Sequence, residues 1–260
     1  MTLVDQPRPQ TRAQLALLAK GKQERLKFWR ERELYGGSLF EFVKAAWSSI
    51  DSAEFSSNWA IEAFCDHLEA VTRGHCPRLL ANYPPRASKT TIASICWVAW
   101  TWAQSDISFL SGPQVRFLCG SYNSELALRI ANKCRRLIES PWYQKYWGDR
   151  FKIATDQNSK SQFDNTKGGS RIATSVHGSL LGLGGDVICV DDPHNTETEK
   201  VIETDTDRKT VASWFQEIRG TRLNDPKRSV IVVVMQRLHE EDLSGVILSG
   251  DEEDWTPLMI

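Results

Sequence analysis

Apolar and polar positions along the chain follow two rhythms. Short continuous apolar runs at 79–81, 115–120, 186–190 and 229–235 read as buried strands. Between them, apolar residues recur at three- and four-residue intervals and predict amphipathic helices. Ile61, Phe64, Cys65, Leu68 and Val71 give such a face over 58–72, and Ile92, Ile95, Cys96, Ala99, Trp102 and Ala103 give another over 88–104. Leu126, Ile130, Cys134, Leu137 and Ile138 mark 124–139, and Val211, Trp214, Phe215 and Ile218 mark 204–219. Residues 11–33 form a charged helix, an arm or lid with Leu15, Leu18, Lys22, Arg25 and Trp29 near one stripe, broken at Gly36-Gly37. Residues 39–47 are a short apolar element. The Pro- and Gln-rich residues 1–10 read as disordered. Residues 141–149 look turn-like, 151–176 hold short strands around Lys167-Gly168-Gly169, and 178–185 form a glycine-rich loop. The β-branched run SVIVVVM at 229–235 is the clearest strand and suits a central position.

This alternation predicts an α/β three-layer fold with a mostly parallel central sheet and N-terminal helical additions. We divide the chain into an N-terminal helical arm or lid, 1–57, and a core, 58–260. Ligands in such sheets sit beyond the C-terminal strand ends. Three chemically loaded segments fall there: 86–90, 191–192 and 236–237.

Composition narrows the setting. A net charge of −1 over 260 residues gives no global basic field, so a DNA partner needs a local patch. Arg129, Lys133 and Arg136 share one helix face that could serve, although such faces are commonly just solvated. The six cysteines show no CxxC or zinc spacing, and several sit in apolar runs, which points to a reducing, intracellular compartment. No signal peptide is apparent and no apolar run is long enough to span a bilayer, so no membrane is expected.

The segment LLANYPPRASKTT (79–91) reads as strand, tight loop and helix start. Backbone N–H groups at a helix N-terminus attract anions, and Lys89 adds a mobile cation. Pro85, Arg86, Ala87, Ser88, Lys89, Thr90 and Thr91 are the expected phosphate-binding loop, with the Thr90 hydroxyl placed for magnesium. The strict pattern has glycine where Tyr83 and Ser88 stand, so SKT alone also reads as a helix cap. Asp191-Asp192 after four apolar residues has the form of a Walker B element. Asp191 is then a magnesium ligand and Asp192 the acid that orients the attacking water. Gln236, at the tip of the third strand, is suited to sense the γ-phosphate. Residues 239–242 (HEED) read as the start of a solvated helix, and Arg171, Arg219 and Arg222 as candidate trans-acting arginines.

The series NWAIEAFCDHLEAVTRG…RLLANYPPRASKTT…VRFLCGSYNSELA…GLGGDVICVDDPHN…TRLNDPKRSVIVVVMQRLHEEDLSG resembles the ATPase region of the large terminase subunit of tailed bacteriophages. It runs from Trp59 to Gly245. In that family a PPR-x-x-KT loop often replaces the double-glycine pattern. The resemblance implies a P-loop ATPase of the additional-strand (ASCE) class that uses ATP and Mg2+ to pump double-stranded DNA through the portal protein into a procapsid. It implies Lys89 and Thr90 as Walker A residues, Arg86 as the Walker A arginine, Asp191 as metal ligand, Asp192 as catalytic acid and Gln236 as part of the coupling motif. Implied partners are the portal, the small terminase subunit and further copies in a pentameric ring, with a monomer expected for the isolated domain. The implied location is the cytoplasm of the infected bacterium.

Two departures stand out. The loop before Asp191 ends Gly184-Gly185 without the arginine often found there. The acidic strands of the family's C-terminal nuclease are not visible before Ile260, so the motor is expected here without nuclease activity. Trp59 is read as core, or else near the base of the nucleotide. The competing readings are a helicase-like DNA-dependent ATPase and a nucleotide-binding scaffold without turnover.

Overall fold

The structure, a computed structural model, describes residues 12–105, 109–110, 112–159, 161–176, 178, 182–195, 204–250 and 254–260. The segment expected to be disordered, 1–10, and part of the glycine-rich loop lie outside them. The helices are α1 (Arg12–Gly37), α2 (Leu39–Ala46) and α3 (Trp59–Thr72), with Ser38 and Asn58 accepting cap hydrogen bonds at α2 and α3. Next comes α4, one continuous rod made of Lys89–Thr91, a π-helical Ile92–Cys96 and Trp97–Ala103. Then follow α5 (Ser124–Glu139), α6 (Pro141–Trp147), α7 (Asp205–Thr221) and α8 (Leu243–Ser249).

The strands are β1 (Arg78–Asn82), β2 (Phe117–Ser121), β3 (Ile153–Asn158), β4 (Gln162–Asn165), β5 (Ser170–Ser175), β6 (Val187–Asp191), β7 (Val230–Met235) and β8 (Thr256–Met259). They form one sheet in the order β3-β4-β5-β2-β6-β7-β1-β8. Pairing from β5 across to β8 is parallel, while β3 and β4 add an antiparallel edge. The fold is α/β, as the alternation of strands and helices predicts. The decisive feature is β7 lying between β1 and β6, in register with both. It brings the loops after all three strands to one edge.

Because β side chains alternate, each strand feeds two cores. Leu79, Ala81, Phe117, Cys119, Val187, Cys189, Val232 and Val234 face a layer built from α2, α3, α4, α5 and α6. Leu80, Leu118, Ile188, Val190, Ile231, Val233 and Met235 face α7 and α8. Leu39, Phe42, Val43 and Ala46 of α2 belong to the first core and are fully buried.

Two local expectations are corrected, and one strand is added. Residues 141–147, read as turn-like, form helix α6. Ser140 accepts from the Tyr143 amide, Pro141 sits in the first turn where no N–H partner is needed, and Tyr143, Tyr146 and Trp147 are buried. The expected stripe on α1 faces water at Lys22, Arg25 and Trp29. The helix docks instead through Phe28 and Tyr35, which pack on Tyr146, and through the Arg32–Asp149 ion pair. The side chains of Leu15 and Leu18 lie outside the described residues. Strand β8 had no forerunner in the pattern. It tolerates Pro257 because it is an edge strand.

Candidate nucleotide site

The loop leaving β1 turns back on two residues in the left-handed region, Arg86 (φ 59°) and Ser88 (φ 64°). For non-glycine residues this costs roughly 1 kcal/mol or more each. Ser88 stands where the strict phosphate loop carries glycine, and it adopts the glycine-like conformation. The flaw in the sequence pattern is therefore absorbed by strain, and the loop keeps its turn. Pro85 and Arg86 are exposed, and Arg86 has no hydrogen bond or ion pair among the described residues. Ala87, Ser88, Thr90 and Thr91 are partly buried.

Lys89 is only 6% exposed and points into the sheet edge, where its Nζ lies 2.8 Å from Asp192 Oδ2. Thr90 Oγ1 donates to Asp191 Oδ1 at 3.1 Å. Asp191 ends β6 and is buried. Asp192 has φ 43°, a third non-glycine residue in the left-handed region. It is pinned on three sides: its amide donates to the Val234 carbonyl, its carbonyl accepts from the Tyr122 amide, and its Oδ1 accepts from the Gln236 amide at 3.3 Å. Gln236 thus reaches the site through its backbone.

Burial raises the Asp191 carboxyl to about 7, with the neighbouring Asp192 charge adding to the rise. Hydrogen bonds from Ser94 and Thr90 and the charge of Lys89 oppose it. Two adjacent carboxylates with only one paired cation, beside a hydroxyl, form a donor set suited to a divalent cation. Thr90 and Asp191 could hold such a cation, and the 86–91 backbone could face an anion.

Sequence comparison finds no family profile and no curated protein that matches the chain. Structural comparison does find similar folds. The large terminase of bacteriophage HK97 superposes with a TM-score of 0.54 at 13% identity, over 86% of this chain and 43% of that one. The fold is terminase-like. This chain therefore spans less than half the length of that terminase. A structure of S. cerevisiae Dbp5 with bound partners and ADP aligns at a TM-score of 0.48 and 12% identity, over 83% of this chain and 52% of that one, too remote to support any inference.

Within the terminase-like fold the other expected residues scatter. Arg171 is 1% exposed inside the first core, which rules out its reaching another subunit. Arg222 sits beside Gly185 at the opposite end of β6, where its carbonyl accepts from the Gly185 amide, and it pairs with Glu217. Arg219 lies on the last turn of α7. Trp59, expected in the core, is 70% exposed at the first turn of α3. Arg129, Lys133 and Arg136 are exposed on α5. The HEED segment is no solvated face throughout, because Asp242 is fully buried. It caps α8 through the Gly245 amide and accepts from Arg237 and the Leu238 amide. Among the described residues no group of three His, Cys, Asp or Glu is arranged to hold a metal, and no helix is long and apolar enough to cross a membrane.

Two participants escaped the sequence reading. His194, two residues beyond Asp192, is buried and accepts from the Leu243 amide at 3.0 Å, tying the segment after β6 to the start of α8. Ser94 donates to Asp191 Oδ2 at 2.9 Å. The only signal for Ser94 was its place four residues after Thr90, on the same helix face.

Proposed function

We propose that the chain is the ATP-hydrolysing motor region of a large terminase, coupling magnesium-dependent ATP hydrolysis to translocation of double-stranded DNA into a viral procapsid. The observation that supports this most is convergence. Lys89 and Thr90 from the end of β1 meet Asp191 and Asp192 from the end of β6 across the intervening β7.

In this reading Lys89 and Arg86 neutralise the phosphates, and Thr90 with Asp191 hold magnesium. Magnesium held there would supply charge compensation for the phosphates. Asp192 orients the attacking water. Its two oxygens are engaged by Lys89 and the Gln236 amide, so a phosphate that competes for Lys89 frees Oδ2 for that water. The same event reaches residues 236–237, and through Asp242 and His194 it reaches α8. The partners in this reading are double-stranded DNA, the portal, the small terminase subunit and further copies in a ring, all in the host bacterial cytoplasm.

The test is ATP hydrolysis with and without duplex DNA, together with displacement of a third strand from a DNA triplex. The proposal expects DNA-stimulated, magnesium-dependent turnover and triplex displacement without separation of the duplex strands. Lys89→Ala should lose at least about 100-fold in turnover. Separation of the duplex strands would favour the helicase-like reading. ATP binding without turnover, alone or with portal present, would favour the scaffold.

A further inference from the structure

The carboxylate of Asp191 is held at both oxygens. Oδ1 accepts from Thr90, whose hydroxyl is already part of the proposed cation site, and Oδ2 accepts from Ser94 at 2.9 Å. Ser94 is 2% exposed and lies in the middle of the π-helical segment 92–96. Single π-turns inside α-helices are uncommon and gather at functional sites. This one has its own support. The Arg171 guanidinium of β5 donates to the Ser94 carbonyl at 3.3 Å, and the Cys134 thiol of α5 approaches the next carbonyl, that of Ile95, at 3.7 Å. Two side chains from different elements thus reach two successive carbonyls of the π-turn. Arg171 is 1% exposed, and among the described residues its Nε and one terminal nitrogen make no hydrogen bond. Burying a guanidinium so incompletely paired is costly, so the local geometry it enforces needs a use.

From this arrangement we infer that Ser94 is a positioning residue for the cation site, and that the π-turn with its Arg171 brace exists to set it there. Ser94 holds Asp191 Oδ2 toward α4, which leaves the Oδ1 side, next to Thr90, presented to a metal. A serine hydroxyl is well suited because it donates to the ionised carboxylate at little volume. The inference rests on the proposed magnesium-ATP reading. Partners of this outer kind typically change metal affinity by about 10- to 100-fold when removed.

The experiment titrates Mg2+ into the protein with a fluorescent ATP analogue and measures analogue binding with and without the metal, for wild type and Ser94→Ala. Thermal midpoints are recorded in parallel. The expected result is that Ser94→Ala binds the analogue as wild type does in EDTA, but needs about tenfold more Mg2+ or above to reach the metal-enhanced state. Ser94→Cys, which keeps a weak donor of similar size, should fall between them and serves as the deciding variant if Ser94→Ala does not fold. An unchanged Mg2+ requirement in a folded variant overturns the inference, as does an equal loss of binding with and without metal. Failure of the nucleotide reading itself would look different: the wild type would show no metal-enhanced binding at all.

Discussion

The two faces of the sheet meet β2 through a tryptophan each, and the two indoles are treated differently. Trp97 of α4 packs edge-on against Phe117, is fully buried, and donates to Thr72 Oγ1 at 2.7 Å. Trp214 of α7 lies over Gly120, where an added Cβ would come within 2.7 Å of its ring, and among the described residues its buried Nε1 has no hydrogen-bond partner. The first face continues outward through Phe42, Trp100, Trp102, Tyr143 and Trp147, all buried. Among the described residues the second is closed by α7 and α8, with Leu183, Leu223 and Trp255 packed at its margin. The heavily packed face carries the helix that presents Lys89, Thr90 and Ser94. The thin face carries α8, which is bonded to the segments after β6 and β7. The difference separates a firmly packed helix, which presents the proposed nucleotide site, from a lightly packed one bonded to the segments beside it.

Substitutions in the two tryptophans sharpen that comparison. Trp97→Ala should cost about 3–5 kcal/mol, because it leaves a large cavity and removes the bond to Thr72, whose hydroxyl keeps its own bond to the Leu68 carbonyl. For a chain of this size that is a fall of roughly 10 °C in thermal midpoint. Trp214→Phe removes an unsatisfied buried donor together with part of a ring, so its net effect should stay within about 1 kcal/mol. Thermal unfolding of the two variants side by side measures both. Equal losses would contradict the asymmetry.

A subtler break lies in pH. The Asp191 carboxyl is raised from an ordinary carboxylate value to about 7 by burial and by Asp192. The folded state therefore holds this proton more tightly than the unfolded chain does. Its stabilising contribution is complete below about pH 4, declines as pH rises and is gone above about pH 7. In EDTA, Asp191→Asn should be more stable than wild type by a few °C at pH 8, and the gain should shrink toward zero by about pH 4. A difference independent of pH would show that Asp191 is ionised throughout.

Much of this organisation was visible before any coordinates. The period-3.6 faces at 58–72, 124–139 and 204–219 became α3, α5 and α7 because each buries the residues that carry the pattern. Val230–Met235 is a central strand buried along its whole length, as its β-branched run implied. The strand, tight loop and helix start at 79–91 were legible despite the missing glycines, since strand, loop and Lys-Thr still occurred in order. Other features were hidden for physical reasons. Helix α6 was hidden by its shortness: seven residues opened by Pro141 give too few turns to display a period, although Trp142, Tyr143, Tyr146 and Trp147 share one face. Arg171 looked like a surface arginine in the polar strand SRIATS, and only the fold shows its guanidinium turned inward to Ser94. The π-turn in α4 has no sequence signature, and α1 docks through residues outside its expected stripe. The edge strand β8 is short and contains proline, so only pairing with β1 reveals it.

The central claim is that Lys89, Thr90, Asp191 and Asp192 form one ATP-hydrolysing site. The most direct measurement is magnesium-dependent ATP turnover by wild type and Asp192→Asn over a range of protein concentrations, with nucleotide binding recorded in parallel. The predicted result is turnover by wild type, together with loss of about 100-fold or more in Asp192→Asn while ATP still binds. A steeper than linear rise of wild-type rate with protein concentration would add activation between subunits. Undiminished turnover by a folded Asp192→Asn variant would contradict the assignment of that carboxylate, and wild-type protein that binds no nucleotide would contradict the site as a whole.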